Sequence, residues 1–461
     1  MEWTVSECLI LRRIVLDGVD GVRMFDLSLE NCRVDRDLTV NIGVDDGKIV
    51  QISRGRIDAS ERIDLKGYFV LPGLIDAHVH FRDPGLEYKE DFRTGSMAAA
   101  HGGFSTVLDM PNTVPPADNA AEFERKIRIG ERKSVVDFGL HAGFRSVSDV
   151  KGILRFMPAS FKVFMDLTGI STVDGLFREL KDLSAPVPVT VHCENRDVVM
   201  KSMKELKDRS DPSAYALARP PLAEEVSVAE VLALSIHHEH PVHICHLSTV
   251  KALQLVEPFR EYVTCEVTPH HLLLDSGAFR RFGTMVKTNP PLRPPESRIY
   301  PEFLDRINII GTDHAPHGIE EKRKGIWDAP PGIPNLEVVL KLLLTLVSKG
   351  RMSLSAIRRM LAEEPARIFG LRSKGRIAEG MDADFTVIDL KETGRIRSDE
   401  FYSKAHYTPF EGFSYTGGPV MTMVRGRAVM RDGEVLEGNG RYIPAEHNGK
   451  PGNVESEAEL S

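Results

Sequence analysis

Between about residue 70 and residue 371 the chain alternates short apolar runs with stretches of helical spacing. The runs YFVLPGLIDAHVH, STVLDMPN, FKVFMD, VTVHCEN, VHICHLST, VTCEVTP and NIIGTDHAP read as strands. EDFRTGSMAAAHG, NAAEFERKIRIGERK, AEEVSVAEVLALSIHH and NLEVVLKLLLTLVSKG keep their apolar residues on one helical face. Sustained alternation predicts an α/β chain with a parallel sheet, and the TIM (β/α)8 barrel is the form expected. The two ends have a different pattern. VNIGVDDGKIVQIS holds two alternating runs joined at Asp46-Gly47, and TMVRGRAVMRDGEVL has a matching turn at Asp432-Gly433; both are hairpin signals. The expected division is a composite β-sandwich domain from residues 1–70 and 372–445, a barrel domain over 71–371, and a polar, disordered tail over 446–461.

Composition narrows the function. With 461 residues, 42% hydrophobic and 27% charged, the chain is an ordinary globular protein. Its net charge of −8 lacks the basic footprint of a nucleic-acid binder. The apolar run from Leu9 to Leu16 is broken by Arg12 and Arg13 and has no signal-peptide cleavage site. No stretch approaches the ~18 apolar residues of a membrane span. Cys8, Cys32, Cys193, Cys245 and Cys265 are odd in number and contain no CxxC pair. They are expected as buried thiols in a reducing cytoplasm rather than as disulfides or a zinc ribbon.

The chemistry gathers where apolar runs end, which in such barrels is the reactive face. Asp76-Ala77-His78-Val79-His80 closes one run, and residues two apart on a strand face the same way, so both imidazoles can reach one ion. His192 ends VPVTVHCEN, His246 ends PVHICHLST and Asp313 ends RINIIGTDHAPH. Taken singly, each has a bland alternative: a satisfied core histidine, or a helix-capping aspartate. Together they offer four histidines and a carboxylate, too many for one zinc ion and one ligand short of a bridged pair. Lys162 lies inside the apolar FKVFMD run, where a bare ammonium is costly. It either reaches solvent or Asp166, or it is carboxylated by CO₂ and bridges two ions as a carbamate.

These motifs carry a resemblance. The DxHxH strand, FKVFM, VHxEN, HICHLST and the late aspartate resemble the cyclic-amidohydrolase branch of the amidohydrolase superfamily. His80-Phe81-Arg82-Asp83-Pro84-Gly85, Met110-Pro111-Asn112-Thr113, Asn289-Pro290-Pro291-Leu292-Arg293, Asp313-His314-Ala315-Pro316-His317 and the SKAHYTPFEG segment are similar to the dihydroorotase family. The resemblance covers nearly the whole chain. It implies two Zn²⁺ ions: His78 and His80 on one, His192 and His246 on the other, carboxylated Lys162 between them, and Asp313 on the first as proton shuttle. It implies a metal-bridging hydroxide that opens, or in reverse closes, the ring between L-dihydroorotate and N-carbamoyl-L-aspartate in pyrimidine biosynthesis. Arg82 is expected to take the substrate carboxylate, helped by Asn112 and His317 and less directly by Asn289. The Pro330-Pro331-Gly332 segment is expected to supply backbone contacts. Many bacterial family members place an aspartate in the bridging region, where this chain has the lysine form; Asp166 is the fallback ligand. Cys193, where relatives commonly have alanine, is expected to serve packing.

Two other readings stay open. A hydantoinase, dihydropyrimidinase or allantoinase would share the metal ligands but lack a use for Arg82. A non-catalytic scaffold beside aspartate transcarbamoylase would be expected to have lost ligands. The expected partners are a small-molecule substrate, further copies of the chain in a homo-oligomer and, as an option, a transcarbamoylase. His101, His237, His238, His240 and His243 are expected to be structural; His270, His271 and His314 are left without a role.

Overall fold

The computed structural model describes residues 24–447. It opens with β1 (Phe25–Asp35), β2 (Leu38–Asp45), β3 (Lys48–Ser53), β4 (Ala59–Asp64) and β5 (Phe69–Pro72). Asp46 (φ 47°) and Gly47 (φ 73°) turn β2 into β3, and two successive left-handed residues match the twist of a tight hairpin. Eight strands follow: β6 (Leu74–Val79), β7 (Phe104–Asp109), β8 (Asp137–Ala142), β9 (Ser160–Phe164), β10 (Val189–His192), β11 (Val242–Ile244), β12 (Val263–Val267) and β13 (Ile309–Ile310). The chain then adds β14 (Phe385–Arg395), β15 (Ser414–Val424), β16 (Arg427–Arg431) and β17 (Glu434–Val435). Asp432 and Gly433 form the second expected hairpin turn, at φ 50° and 82°.

β6 to β13 are parallel neighbours in chain order. Val79 bridges His314 in the parallel sense, and His80 N donates to His314 O at 2.9 Å. The first strand therefore meets the segment after the last, and the ring is a TIM barrel. Its strands are buried apart from Phe164 at the end of β9, which is why they read as nearly continuous apolar runs. The two ends of the chain share one nine-stranded sheet in the order β17-β16-β15-β14-β5-β1-β2-β3, with β4 beside β1. Its seam is the antiparallel β5–β14 pair, where Val70 opposes Val387. Leu29, Ile42, Val70, Phe385 and Met423 form its core.

Three segments differ from the sequence expectation. YFVLPGLIDAHVH is two strands, β5 in the terminal sheet and β6 in the barrel, parted at Gly73. Gly73 N donates to Asp384 O at 2.8 Å, and a Cβ here would collide with Ser105 Oγ and Asp384 Cβ. β8 was not among the expected runs because Asp137, Gly139 and His141 interrupt its apolar pattern. His141 is nevertheless satisfied, donating to Ala77 O at 2.9 Å and meeting Ser160 Oγ at 2.6 Å. FKVFMD stops being a strand at Phe164, and Asp166 lies in the short helix Met165–Thr168.

A buried charge cluster fastens the terminal sheet to the barrel. Lys374 Nζ lies 2.6, 3.0 and 2.7 Å from carboxylates of Asp137, Asp382 and Asp384, and Arg425 also pairs with Asp137. Each carboxylate has a cationic partner, without which burying it would be costly. Cys32, Cys193, Cys245 and Cys265 are free and buried, as expected. Cys8, the apolar run from Leu9 to Leu16 and the tail beyond His447 lie outside the described residues. Glu446, at the start of the expected tail, donates its N–H to Gly370 O at 2.8 Å. Among the described residues, no helix is long and apolar enough to cross a membrane.

Candidate metal centre and anion pocket

The carboxyl ends of the barrel strands bring the expected ligands together. His78 lies in β6 and His80 just beyond it; Lys162 is in β9; His192 ends β10; His246 follows β11 and Asp313 follows β13. All six are buried. His246 (φ 37°) and Asp313 (φ 46°) hold left-handed backbone, as does Arg82 (φ 62°). Such conformations persist where the surroundings enforce them, commonly at functional sites. The enforcement at the β6 loop is visible. Asp109 Oδ1 accepts from Phe81 N at 2.7 Å, and Lys126, from the helix Ala120–Lys133, holds Asp109 in a buried pair at 2.8 Å.

Hydrogen bonding assigns the imidazole tautomers. His78 Nδ1 donates to Glu266, and His80 Nδ1 donates to Asn112 Oδ1 at 2.7 Å. Each Nε2 is thereby turned toward Asp313 Oδ1, at 3.5 and 3.0 Å respectively. His192 Nε2 donates to Glu194 Oε2 at 3.0 Å, so its bare Nδ1 faces His246 Nε2, also at 3.0 Å. His246 Nδ1 is buried without a partner. The site thus gathers imidazole nitrogens and a carboxylate, the donor types a divalent cation takes, in buried surroundings. Burial pushes the His80 imidazole down to about 4 and His246 well below its usual range, leaving both in the neutral form that binds metal. Burial would raise the Asp313 carboxyl, but His78 and His80 overcome it and hold it well below the carboxylate range. The donor set therefore fits a metal centre with two groups, His78–His80–Asp313 and His192–His246.

Lys162 lies between these groups by strand order. Its Nζ meets Cys245 Sγ at 2.7 Å and sits 5.1 Å from the centre of the Phe164 ring. Among the described residues, no carboxylate comes within 4.0 Å of it. The pairing with Asp166 weighed from sequence is absent: Asp166 binds Arg219 at 2.5 Å, and Arg219 also holds Glu194 at 2.7 Å.

The loop after β6 carries Arg82, which is buried rather than paired to Glu87, Glu90 or Asp91. Asp91 caps the helix Phe92–His101, and Glu90 bonds Thr94, Ser403 and His314. His317 Nδ1 accepts from Lys89 at 3.1 Å, while its Nε2–H donates to Pro331 O at 2.9 Å. Arg82 Nη2 lies 3.5 Å from that same Nε2, so two donors face each other and no hydrogen bond forms. Arg82 Nε is buried without a partner. Asn112 meets His80 rather than Arg82, and Asn289 accepts from Tyr215 at 2.6 Å.

Glu266 was missed by sequence reasoning. It receives His78 Nδ1, His243 Nε2 at 3.4 Å and His246 N at 3.1 Å. A carboxylate inside the apolar VTCEV run was the available signal, of the same kind that marked Lys162. His314 now has a place: its Nδ1 accepts from Asn335 N at 3.2 Å and its Nε2 faces Glu90 at 3.4 Å. His271 is held by Thr268 and Pro290 O, and His270 Nδ1 accepts from Asn335.

The family model described as Amidohydrolase family matches residues 69–429. A dihydroorotase of Methanothermobacter thermautotrophicus is 99% identical over 431 residues, covering 94% of this chain and 100% of that protein. A dihydroorotase of Methanosphaera stadtmanae is 40% identical over 430 residues, covering 91% and 100%. Among solved structures, an L-hydantoinase (dihydropyrimidinase) from Arthrobacter aurescens matches with a TM-score of 0.87 at 32% identity, covering 91% of this chain and 100% of that one. The chain belongs to the amidohydrolase family and, within it, to the dihydroorotases.

Proposed function

We propose that this chain interconverts L-dihydroorotate and N-carbamoyl-L-aspartate, opening the ring by adding water across one C–N bond and closing it by the reverse. The observation that carries the reading is Arg82: a buried guanidinium with an unpartnered Nε and no carboxylate within 4.0 Å among the described residues, set in the loop that follows His80. A guanidinium left so is matched by a ligand carboxylate, which dihydroorotate has and hydantoin or dihydrouracil lacks. His78, His80 and Asp313 would hold one divalent ion and His192 with His246 a second, with Lys162, carboxylated, between them. Such a pair supplies nucleophilic hydroxide near neutral pH and polarises the ring carbonyl.

Asp313 takes up the proton released as water adds and returns it to the departing ring nitrogen, which requires the ionised carboxylate that its histidine neighbours favour. Glu266 and Asn112 orient His78 and His80 so that each presents Nε2. His317 and the carbonyl-rich wall at Pro331 border the Arg82 pocket; Asn289 is assigned to substrate binding at longer range. In this reading, zinc is the native metal and the barrel of residues 71–371 carries the chemistry. The composite domain of 1–70 and 372–445 braces it. A cytoplasmic homo-oligomer, with a transcarbamoylase as an optional partner, completes the assignment. The test follows ultraviolet absorbance as the zinc-loaded protein meets L-dihydroorotate, with hydantoin, dihydrouracil and allantoin in parallel. Chelator-sensitive loss with dihydroorotate alone supports the reading; turnover of the uncharged rings alone overturns it.

A further inference from the structure

Lys322 ends the short helix Ile319–Lys322 and is fully buried. Its Nζ donates to three carbonyls: Lys287 O at 3.2 Å, Pro330 O at 3.0 Å and Gly332 O at 2.9 Å. An ammonium has three N–H donors and a neutral amine only two, so the three carbonyls favour the charged form, while burial and then the neighbouring Lys287 bring the amine down to about 7. Among the described residues, no carboxylate comes within 4.0 Å of it. The protein has thus buried an amine against backbone carbonyls, although a methionine would fill similar space without that desolvation cost.

Two of the carbonyls it holds flank Pro331, whose own carbonyl accepts from His317, the side chain that Arg82 Nη2 approaches at 3.5 Å. Gly332 O also accepts from Tyr407 OH at 3.4 Å, Pro331 O accepts from His317, and Gly332 N donates to Lys287 O at 2.8 Å. The next residue ties the wall to the ligand strand: Ala315 N donates to Ile333 O at 3.1 Å, two residues after Asp313. The charges converge as well. Burial first, then Arg82, Lys89 and Lys322, drive the His317 imidazole down to about 2. Of these three cations, Lys89 has a carboxylate partner, Glu321 at 3.1 Å.

We infer that Lys322 is a positioning residue for the substrate carboxylate: it clamps residues 330–332 to the backbone of Lys287, just past the 3-10 turn Gly283–Val286, so that His317 and Arg82 keep their mutual geometry. This rests on the dihydroorotase reading above. It assigns Lys322 no contact with substrate and no part in the bond-breaking step, so its loss is expected in binding and not in turnover at saturation.

The experiment compares wild-type protein with Lys322→Met and Lys322→Gln, all zinc-loaded, for kcat and KM on L-dihydroorotate, metal content, and thermal midpoint. The expected result is KM raised by about tenfold or more in K322M, with kcat within about threefold and metal content unchanged. K322Q, which keeps two of the three donors, is expected to fall between wild type and K322M, and it serves alone if K322M does not fold. KM within about twofold of wild type in the soluble variants overturns the inference, as does a fall in kcat with KM unchanged or a loss of metal. Failure of wild-type protein to open dihydroorotate at all is the separate result that overturns the underlying function.

Discussion

Replacing Arg82 with methionine separates binding from stability, because the structure predicts opposite signs for the two. In the free protein the guanidinium is buried, its Nε has no partner, and His317 Nε2, 3.5 Å from its Nη2, is itself a donor. Methionine removes this uncompensated polar group and keeps much of the apolar stem. Leaving a buried polar group unsatisfied costs about 1–3 kcal/mol, so R82M should be as stable as wild type or more stable by up to about that amount. Binding should move the other way. A charged hydrogen bond contributes about 1.5–3 kcal/mol and truncating one partner of a buried charge pair costs about 2–5 kcal/mol. At about 1.4 kcal/mol per decade, a loss of about 2–5 kcal/mol corresponds to roughly 30- to 4000-fold weaker binding of L-dihydroorotate. Titration calorimetry gives the affinity, denaturant unfolding the stability, and metal analysis shows whether the ion sites survive. Affinity within threefold of wild type together with lowered stability would refute the reasoning, because Arg82 would then be a structural side chain.

Lys162→Ala should lose metal and activity, and short carboxylic acids that mimic a carbamate should restore part of both; full activity without added acid would remove Lys162 from the centre. Glu266→Gln keeps the shape but weakens the acceptor for His78, and a loss of about 10–100-fold in metal affinity is expected, read by competition with a chelating dye. Lys374→Met leaves Asp137, Asp382 and Asp384 sharing only Arg425 and Lys48, and should destabilise by about 3–5 kcal/mol with the metal centre unaffected. Burial would raise the Asp382 carboxyl, but Lys374 and Lys48 hold it below its unfolded value. Its stabilisation is therefore complete above about pH 4 and is lost as pH falls through the lowered folded value; unfolding midpoints between pH 7 and pH 3 should show this decline in wild type and a weaker one in K374M.

The elements that could be read from sequence are those whose pattern is set locally. Asp46-Gly47 and Asp432-Gly433 declare their turns through backbone geometry alone, and the ligand residues announce themselves as polar side chains at the ends of apolar runs. Strand β8 was concealed because Asp137 and His141 are satisfied by Lys374, Ala77 O and Ser160, partners remote in sequence. The same holds at the site. His78 and His80 were legible as a pair, but their orientation depends on Glu266 in β12 and Asn112 in the loop after β7. Asn112 was expected to assist Arg82; its bond to His80 was not legible in the sequence. Lys322, in an exposed-looking EEK sequence, gave no hint of burial, since the carbonyls around it are supplied by backbone that no side-chain pattern encodes.

The passage of the chain through Gly73 has a consequence for synthesis. β5 is made early, but its partner β14 begins about 310 residues later, an interval of roughly 15–60 s at 5–20 residues/s on the ribosome. Throughout that interval β5 and the strands behind it lack the half of their sheet that covers the β5 edge. An open apolar edge is a template for pairing with other chains. The nascent N-terminal strands are thus the part of this protein most in need of shielding while the barrel is being made, and a variant that slows barrel completion should aggregate through them before it loses any catalytic group.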